Sequence, residues 1–339
     1  SADIDAHLGR RARVRQSSRR ALANARLLRH ILPMRHKAQF DQSPKFFSAM
    51  SRCPSALNCW AAFNCWAILL LFALGCGGVS KQAGSTPPAT AEAPSALAAA
   101  VAADHRSAEH RSRDRYRHPK ETLEFFGVEP GMRVVEIRPG RGWYTEILAP
   151  YLQGQGELVA AIPSPTGAKA AYHQRFVDLK MSKPGVFGQV QIGTFEPPSE
   201  FDFGPAESAD RVLTFRNLHN MIGANAESAA FEAFFAALKP GGVLGIVQHR
   251  AAAGADPSEE AARGYVPEAY VVELATAAGF VLDGQSEINA NPADTRDHPE
   301  GVWTLPPVLR SGDQNRDRYL AIGESDRMTL RFRKPAETE

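Results

Sequence analysis

Short apolar runs alternate with helical patterns from about residue 104 to the end of the chain. Met132 to Ile137 predicts a first strand and GELVAAI at 156–162 a second. QVQIG at 189–193 is a weaker third, ADRVLTF at 209–215 a strong fourth and VLGIVQH at 243–249 a fifth. AGFVLDGQSEI and then Arg327 to Phe332 close the series. Between them, helical spacing of apolar positions runs over Trp143 to Leu152, Thr166 to Leu179, and Pro267 to Ala278. A further helix starts with Asn225 as candidate N-cap and ends at Leu238, where LKPGG supplies a stop. Pro119 suits the first turn of a helix ahead of the first strand. Strands alternating with helices predict an α/β fold, a mostly parallel sheet covered on both faces.

Ahead of this region the pattern is different. Residues 1–49 are arginine-rich in their opening part, carry little core-forming pattern, and read as an over-extended or disordered start, with Met34 or Met50 as a natural beginning. Residues 50–76 are signal-like: Trp60 to Leu74 is apolar but short for a spanning helix and suited to a signal core. It runs into Ala-Leu-Gly-Cys at 73–76, which resembles a bacterial lipobox with Cys76 as the lipidated residue. Residues 77–103, rich in Ala, Pro, Ser and Thr, predict a flexible linker. The expected location is therefore membrane-anchored or periplasmic if the lipobox is processed, and cytoplasmic otherwise. All four cysteines precede residue 80, so the domain at 104–335 expects neither a disulfide-stapled core nor a structural zinc site. A formal net charge of +2 and the absence of a basic stripe with interleaved aromatics argue against a nucleic-acid partner.

The chemistry concentrates in VVEIRPGRGWYTEIL, Val134 to Leu148: an apolar strand, an acid, a glycine turn and a helical pattern. Such a turn places backbone N–H groups and a carboxylate at the C-terminal edge of a strand, where open α/β sheets bind nucleotide-like ligands. With GVEPGM before it, the segment resembles motif I of class I S-adenosylmethionine-dependent methyltransferases, and in particular a bacterial group of predicted methyltransferases. The resemblance covers about residues 104–335. It implies a seven-stranded Rossmann-like sheet whose last strand is antiparallel, with S-adenosyl-L-methionine as cofactor. It implies Glu136 for the cofactor's amino group, and Gly140 and Gly142 for the close backbone approach, with Trp143 following. Arg138 occupies the place of the first glycine. An acid expected at the end of the second strand is replaced by Ala161, Ile162, Pro163 and Ser164, so Ser164 is the remaining candidate for the ribose. Thr194, or Glu196 nearby, is placed to meet the adenine.

TFRNLHNM at 214–221 follows the fourth strand. On the resemblance, His219 sits where some small-molecule O-methyltransferases carry a catalytic histidine, and an imidazole with a pKa near 6.5 suits proton removal. Arg216 and Asn217 are candidates for orienting the cofactor, and Asn220 for the substrate. Gln248, His249 and Arg250 end the fifth strand and point to the same edge, His249 being a substrate candidate. The excursion over 286–307 is too long for a connector and reads as a substrate-facing lid, with Asn291 and Trp303 as candidate contacts. Asp294, Asp297, His298 and Glu300 lie in it at spacings common in solvated turns, and no metal is assigned; the ESDRM run at 324–328 is expected to tie the loop to the last strand through ion pairs.

The expected activity is methyl transfer to an oxygen or nitrogen of a small molecule. The alternative is an exported, membrane-anchored protein that keeps the fold and binds another ligand without catalysis. A nicotinamide enzyme is disfavoured because the turn lacks G-x-G-x-x-G spacing.

Overall fold

The computed structural model describes residues 95–336. The signal-like segment with Cys76, the arginine-rich opening and residues 77–94 lie outside the described residues.

The sheet has strands β1 (Arg133–Ile137), β2 (Glu157–Ile162), β3 (Gln191–Glu196), β4 (Glu200–Asp202), β5 (Ala209–Phe215), β6 (Leu238–His249), β7 (Val281–Ser286) and β8 (Arg327–Arg333). Their order is β4-β3-β2-β1-β5-β6-β8-β7. The central pairs are parallel. The last strand, β8, is antiparallel to both β6 and β7, as the resemblance implied. The eighth strand, β4, was not foreseen: it is a short antiparallel edge strand that folds back on β3.

Helices cover both faces: α1 (Ala96–Ala102), α2 (Ala108–Arg111), α3 (Asp114–Arg117), α4 (Pro119–Phe125), α5 (Thr145–Leu152), α6 (Ala170–Ser182), α7 (Pro184–Phe187), α8 (Leu218–Ile222), α9 (Glu227–Ala237), α10 (Pro257–Ala262), α11 (Glu268–Ala277) and α12 (Arg316–Ile322). β1 shows why its sequence is almost uniformly apolar: Val134 packs into one core with Leu123, Ile147, Leu148 and Phe176, and Val135 into the other with Phe231, Phe234 and Val271. A central parallel strand buried on both faces needs apolar residues at both alternations. Glu136 breaks that rule, and its cost is the first sign of a site.

Two local expectations are corrected. Residues 96–102, assigned to the flexible linker, form helix α1, because Ser95 caps it and Leu97 and Ala100 are buried against the domain. Asn225 does not cap α9; it takes a left-handed turn (φ 50°) and Ala226 occupies the N-cap position without a side-chain bond. Pro119 does open α4, behind a left-handed His118. No helix among the described residues is long and apolar enough to cross a membrane.

Candidate functional site

The strand order reverses at β1, whose neighbours β2 and β5 carry the chain in opposite directions across the sheet. Ligands of open α/β sheets bind outside the carboxyl ends of strands at such a point. Here both strands leave the sheet through a left-handed arginine, Arg138 after β1 (φ 48°) and Arg216 after β5 (φ 61°). A side chain in this region is strained by about 1 kcal/mol or more, and such strain persists where surrounding structure holds it. The clamps are visible: Arg138 N donates to Ala161 O at 2.8 Å and Arg216 N to Val247 O at 2.7 Å. Asn217 Nδ2 donates to Ile137 O at 2.8 Å, which ties the two strand ends together.

A cavity of about 500 Å³ opens at this edge, with Glu136, Arg138, Gly140, Trp143, Arg216 and Asn217 among its lining residues. Glu136 is buried and accepts from Thr145 Oγ1 at 2.7 Å. Burial raises its carboxyl to about 7 despite the Thr145 bond and the Arg216 charge, which pull the other way. A half-ionised, buried carboxylate facing a cavity is suited to pairing with a ligand ammonium. Gly140 adopts φ 66° with open space where a Cβ would stand, whereas a Cβ on Gly142 would meet Leu179 Cδ2 at 2.7 Å. Gly142 is therefore required by packing against α6 and does not line the cavity. Trp143 is held by a bond from its indole N–H to His110 O and by the Arg117 guanidinium 4.6 Å from its ring.

The side toward β2 and β3 is closed. The Gly140 N–H donates to Tyr172 Oη at 2.6 Å, and Arg138 lies over the Phe195 ring at 5.2 Å. Ser164 and Thr194 do not reach the cavity: Ser164 Oγ is 3.3 Å from Thr166 Oγ1, and Thr194 sits within β3. Both were cofactor candidates. Arg138, in the place of the family's first glycine, lies on the β3 side over Phe195.

A second compartment of about 290 Å³ adjoins the first, sharing Arg113, Arg117, Arg216, Pro307 and Val308 and adding His219, Asn220, His249 and Trp303. These last four, named from the sequence as catalytic or substrate candidates, line one compartment. His219 differs from expectation in its chemistry. Gln248 Oε1 accepts from Leu218 N and its Nε2 donates to Gly264 O, which fixes the amide. Nε2 therefore donates to His219 Nδ1 at 3.3 Å, leaving the ring proton of neutral His219 on Nε2. Burial lowers the His219 pKa to about 4, and the Arg216 charge lowers it further. At neutral pH the ring is a hydrogen-bond donor and a poor proton acceptor. His249 is likewise held well below its usual range, by burial first and then by the neighbouring His219 and arginines.

Asn291 does not face the compartment. Its Nδ2 donates to Ile322 O and Glu324 O, so it braces the chain ahead of β8. Asp294 and His298 are buried and bonded to one another at 2.8 Å, with Asp294 also accepting from Tyr265 and from Asp326 N. The excursion after β7 contributes to the site through Val302, Trp303 and Pro306 to Val308, not through its polar residues. Arg250 and Arg296 both pair with Asp326, the expected tie between loop and last strand. Among the described residues no group of three His, Cys, Asp or Glu is disposed to hold a metal ion.

Sequence reasoning missed Arg113 and Arg117, and expected Glu324 only as part of the ion-pairing ESDRM run. Glu324 accepts from Arg113 Nε at 2.6 Å, Arg117 Nε at 3.1 Å and Arg327 Nη2 at 2.8 Å. Burial would raise its carboxyl, but Arg327, Arg117 and Arg113 outweigh that and hold it at about 2.

With β4 set aside, the sheet reads 3-2-1-5-6-8-7, with only β8 reversed among the remaining strands. The chain has the class I methyltransferase fold. No protein-family model matches the chain, and no curated protein matches it. Solved structures that align with it include an S-adenosylmethionine-dependent methyltransferase from Aquifex aeolicus, at 15% identity over 66% of this chain and 93% of the other, with a TM-score of 0.43. The [4+2]-cyclase SpnF aligns at 19% identity over 69% and 85%, TM-score 0.47. Phosphoethanolamine N-methyltransferase 2 from Haemonchus contortus, solved with S-adenosyl-L-methionine, aligns at 16% over 65% and 53%, TM-score 0.43. At this similarity they bear on neither chemistry nor substrate.

Proposed function

We propose that the domain is an S-adenosylmethionine-dependent methyltransferase acting on a small molecule. The observation that carries this is the buried Glu136 carboxylate beside the left-handed Gly140 turn, opening into a cavity with a second compartment next to it. Glu136, at the end of β1, fits the ammonium group at the amino-acid end of the cofactor. When bound, the cofactor supplies an electrophilic methyl group, which passes to a lone pair of the acceptor while the carbon–sulfur bond breaks with its electrons retained on sulfur.

The chain's own contribution is binding and alignment. Two compartments meeting at Arg216 and Arg117 hold two molecules side by side, and alignment of this kind accounts for much of the rate in a displacement that needs little else. Asn217 fixes the strand ends that form the shared wall. His219, neutral with its proton on Nε2, orients the acceptor by donating to it and does not act as the base the sequence suggested. Equilibrium dialysis of the protein against methyl-labelled cofactor, with S-adenosylhomocysteine as competitor, tests the reading. Saturable uptake that the competitor displaces is expected; none at about 1 mM cofactor overturns it.

One set of contacts favours a second reading, a ligand-binding protein that keeps the fold without methyl transfer. Tyr172 takes the Gly140 N–H, Arg138 fills the side toward β3, and the second strand ends without an acid. The lipobox-like segment at Cys76 agrees with it, because an exported domain is separated from a cofactor made inside the cell. Failure of the dialysis test leaves this reading in place.

A further inference from the structure

The wall shared by the two compartments holds more positive charge than the protein neutralises. The charges of Arg113 and Arg327 lower both Arg117 and Arg216, and Glu324 is the carboxylate that pairs with Arg113, Arg117 and Arg327. Among the described residues the Arg216 side chain has no hydrogen-bond partner, and its guanidinium is lowered to about 10, by burial first and then by Arg327, with Glu324 opposing and Arg113 adding. Arg117 is 2% exposed, lines both compartments, and its Nη1 has no hydrogen-bond partner. A buried guanidinium nitrogen without a partner is expensive.

The cofactor of the proposed function does not supply the missing charge. It carries a sulfonium and an ammonium against one carboxylate, so its binding adds to the positive surplus. Glu109 and Glu136 line the larger compartment and not the smaller, and Glu136 is the partner of that ammonium. The anion must come with the second molecule.

We propose that the acceptor carries an oxyanion, a carboxylate or phosphate, seated in the smaller compartment against the guanidinium groups of Arg117 and Arg216, with His219 Nε2–H as a further donor. About 290 Å³, walled on the other side by Trp303, Pro306 and Val308, suits a small ring or short chain bearing that group. The inference rests on the methyltransferase reading, since that reading makes the second molecule an acceptor.

The test is calorimetric titration of the protein, first with S-adenosylhomocysteine and then, when saturated, with benzoate, phenyl phosphate and the uncharged benzamide. Benzoate or phenyl phosphate is expected to bind the saturated protein while benzamide does not, and the two anions show which oxyanion the seat prefers. Arg117→Gln is expected to weaken the anion by about tenfold or more, the loss of a buried charge pair. If that variant does not fold, Asn220→Asp places a negative charge in the same compartment from an exposed position and is expected to weaken the anion similarly. Benzamide binding as well as benzoate overturns the inference. Anions that bind only without S-adenosylhomocysteine, and compete with it, assign the arginines to the cofactor carboxylate; that overturns the inference and leaves the methyltransferase reading standing. If S-adenosylhomocysteine does not bind at all, the reading and the inference fall together.

Discussion

Glu324→Gln removes the carboxylate that holds Arg113, Arg117 and Arg327 around one point while keeping its volume. Two routes give the cost. The carboxyl is held at about 2 against an ordinary 4.5, and at about 1.4 kcal/mol per pH unit that difference is about 3 kcal/mol of native-state stabilisation. Breaking a buried ion pair by removing one partner costs about 3–5 kcal/mol, because the stranded charges remain buried. Both fall within reach of the whole stability of a domain, about 5–15 kcal/mol. Urea unfolding at neutral pH should therefore show the variant less stable by about 3–5 kcal/mol. The pH dependence has a definite sign. The folded pKa is depressed, so the contribution is complete above about 4.5 and is lost as pH falls toward 2. Wild type should lose stability over that window and the variant should lose about 3 kcal/mol less. Benzoate should also stabilise the variant more than the wild type, since the positive surplus is larger. A variant within about 1 kcal/mol of wild type at neutral pH, the size of an exposed pair, would refute the view of Glu324 as the keystone of a buried charge cluster.

Other substitutions separate packing from binding. Glu136→Gln should raise the stability of the ligand-free protein at pH 8 by about 3 kcal/mol in urea unfolding, because a carboxyl raised to about 7 stabilises the fold fully below 4.5 and loses that contribution as pH rises through 7. In wild type, S-adenosylhomocysteine affinity should rise between pH 6 and pH 8 as Glu136 ionises, and the rise should be absent in Glu136→Gln. Tyr172→Phe frees the Gly140 N–H and should tighten S-adenosylhomocysteine by about fivefold, the worth of one hydrogen bond near 1 kcal/mol, measured by calorimetry. Gly142→Ala should lower Tm through the clash with Leu179 and a φ of 77°, costing about 1–3 kcal/mol, while Gly140→Ala, with open space at its Cβ, should cost only its backbone strain.

The fold was legible because each central strand is an apolar run bounded by turn residues, and burial on both faces leaves that mark. Glu136 was legible for the same reason, as a charge set between the apolar Val135 and Ile137 of β1. The short β4 was hidden, since three residues on an edge need no apolar pattern. The arginine cluster was hidden for a different reason. Arg113 and Arg117 lie in a polar stretch that reads as the solvated face of a helix, and they meet Glu324 across 211 and 207 residues of chain. Nothing local in either segment announces that meeting. The His219 position was readable from its neighbourhood after β5, but its tautomer depends on Gln248, 29 residues away on the next strand. Ser164 and Thr194 were placed by the family pattern, from which the chain departs at Arg138 and at the end of the second strand; Arg138 lies over Phe195, next to Thr194 in β3.

The central claim is that the end of β1 binds the amino-acid part of S-adenosylmethionine through Glu136. Calorimetric titration of S-adenosylhomocysteine into wild type and Glu136→Gln at about pH 8 tests it most directly. Micromolar binding to wild type, weakened about tenfold or more in the variant, is expected from the loss of a charge-assisted contact. Equal affinity in the two proteins, or no binding to wild type at millimolar ligand, would contradict it.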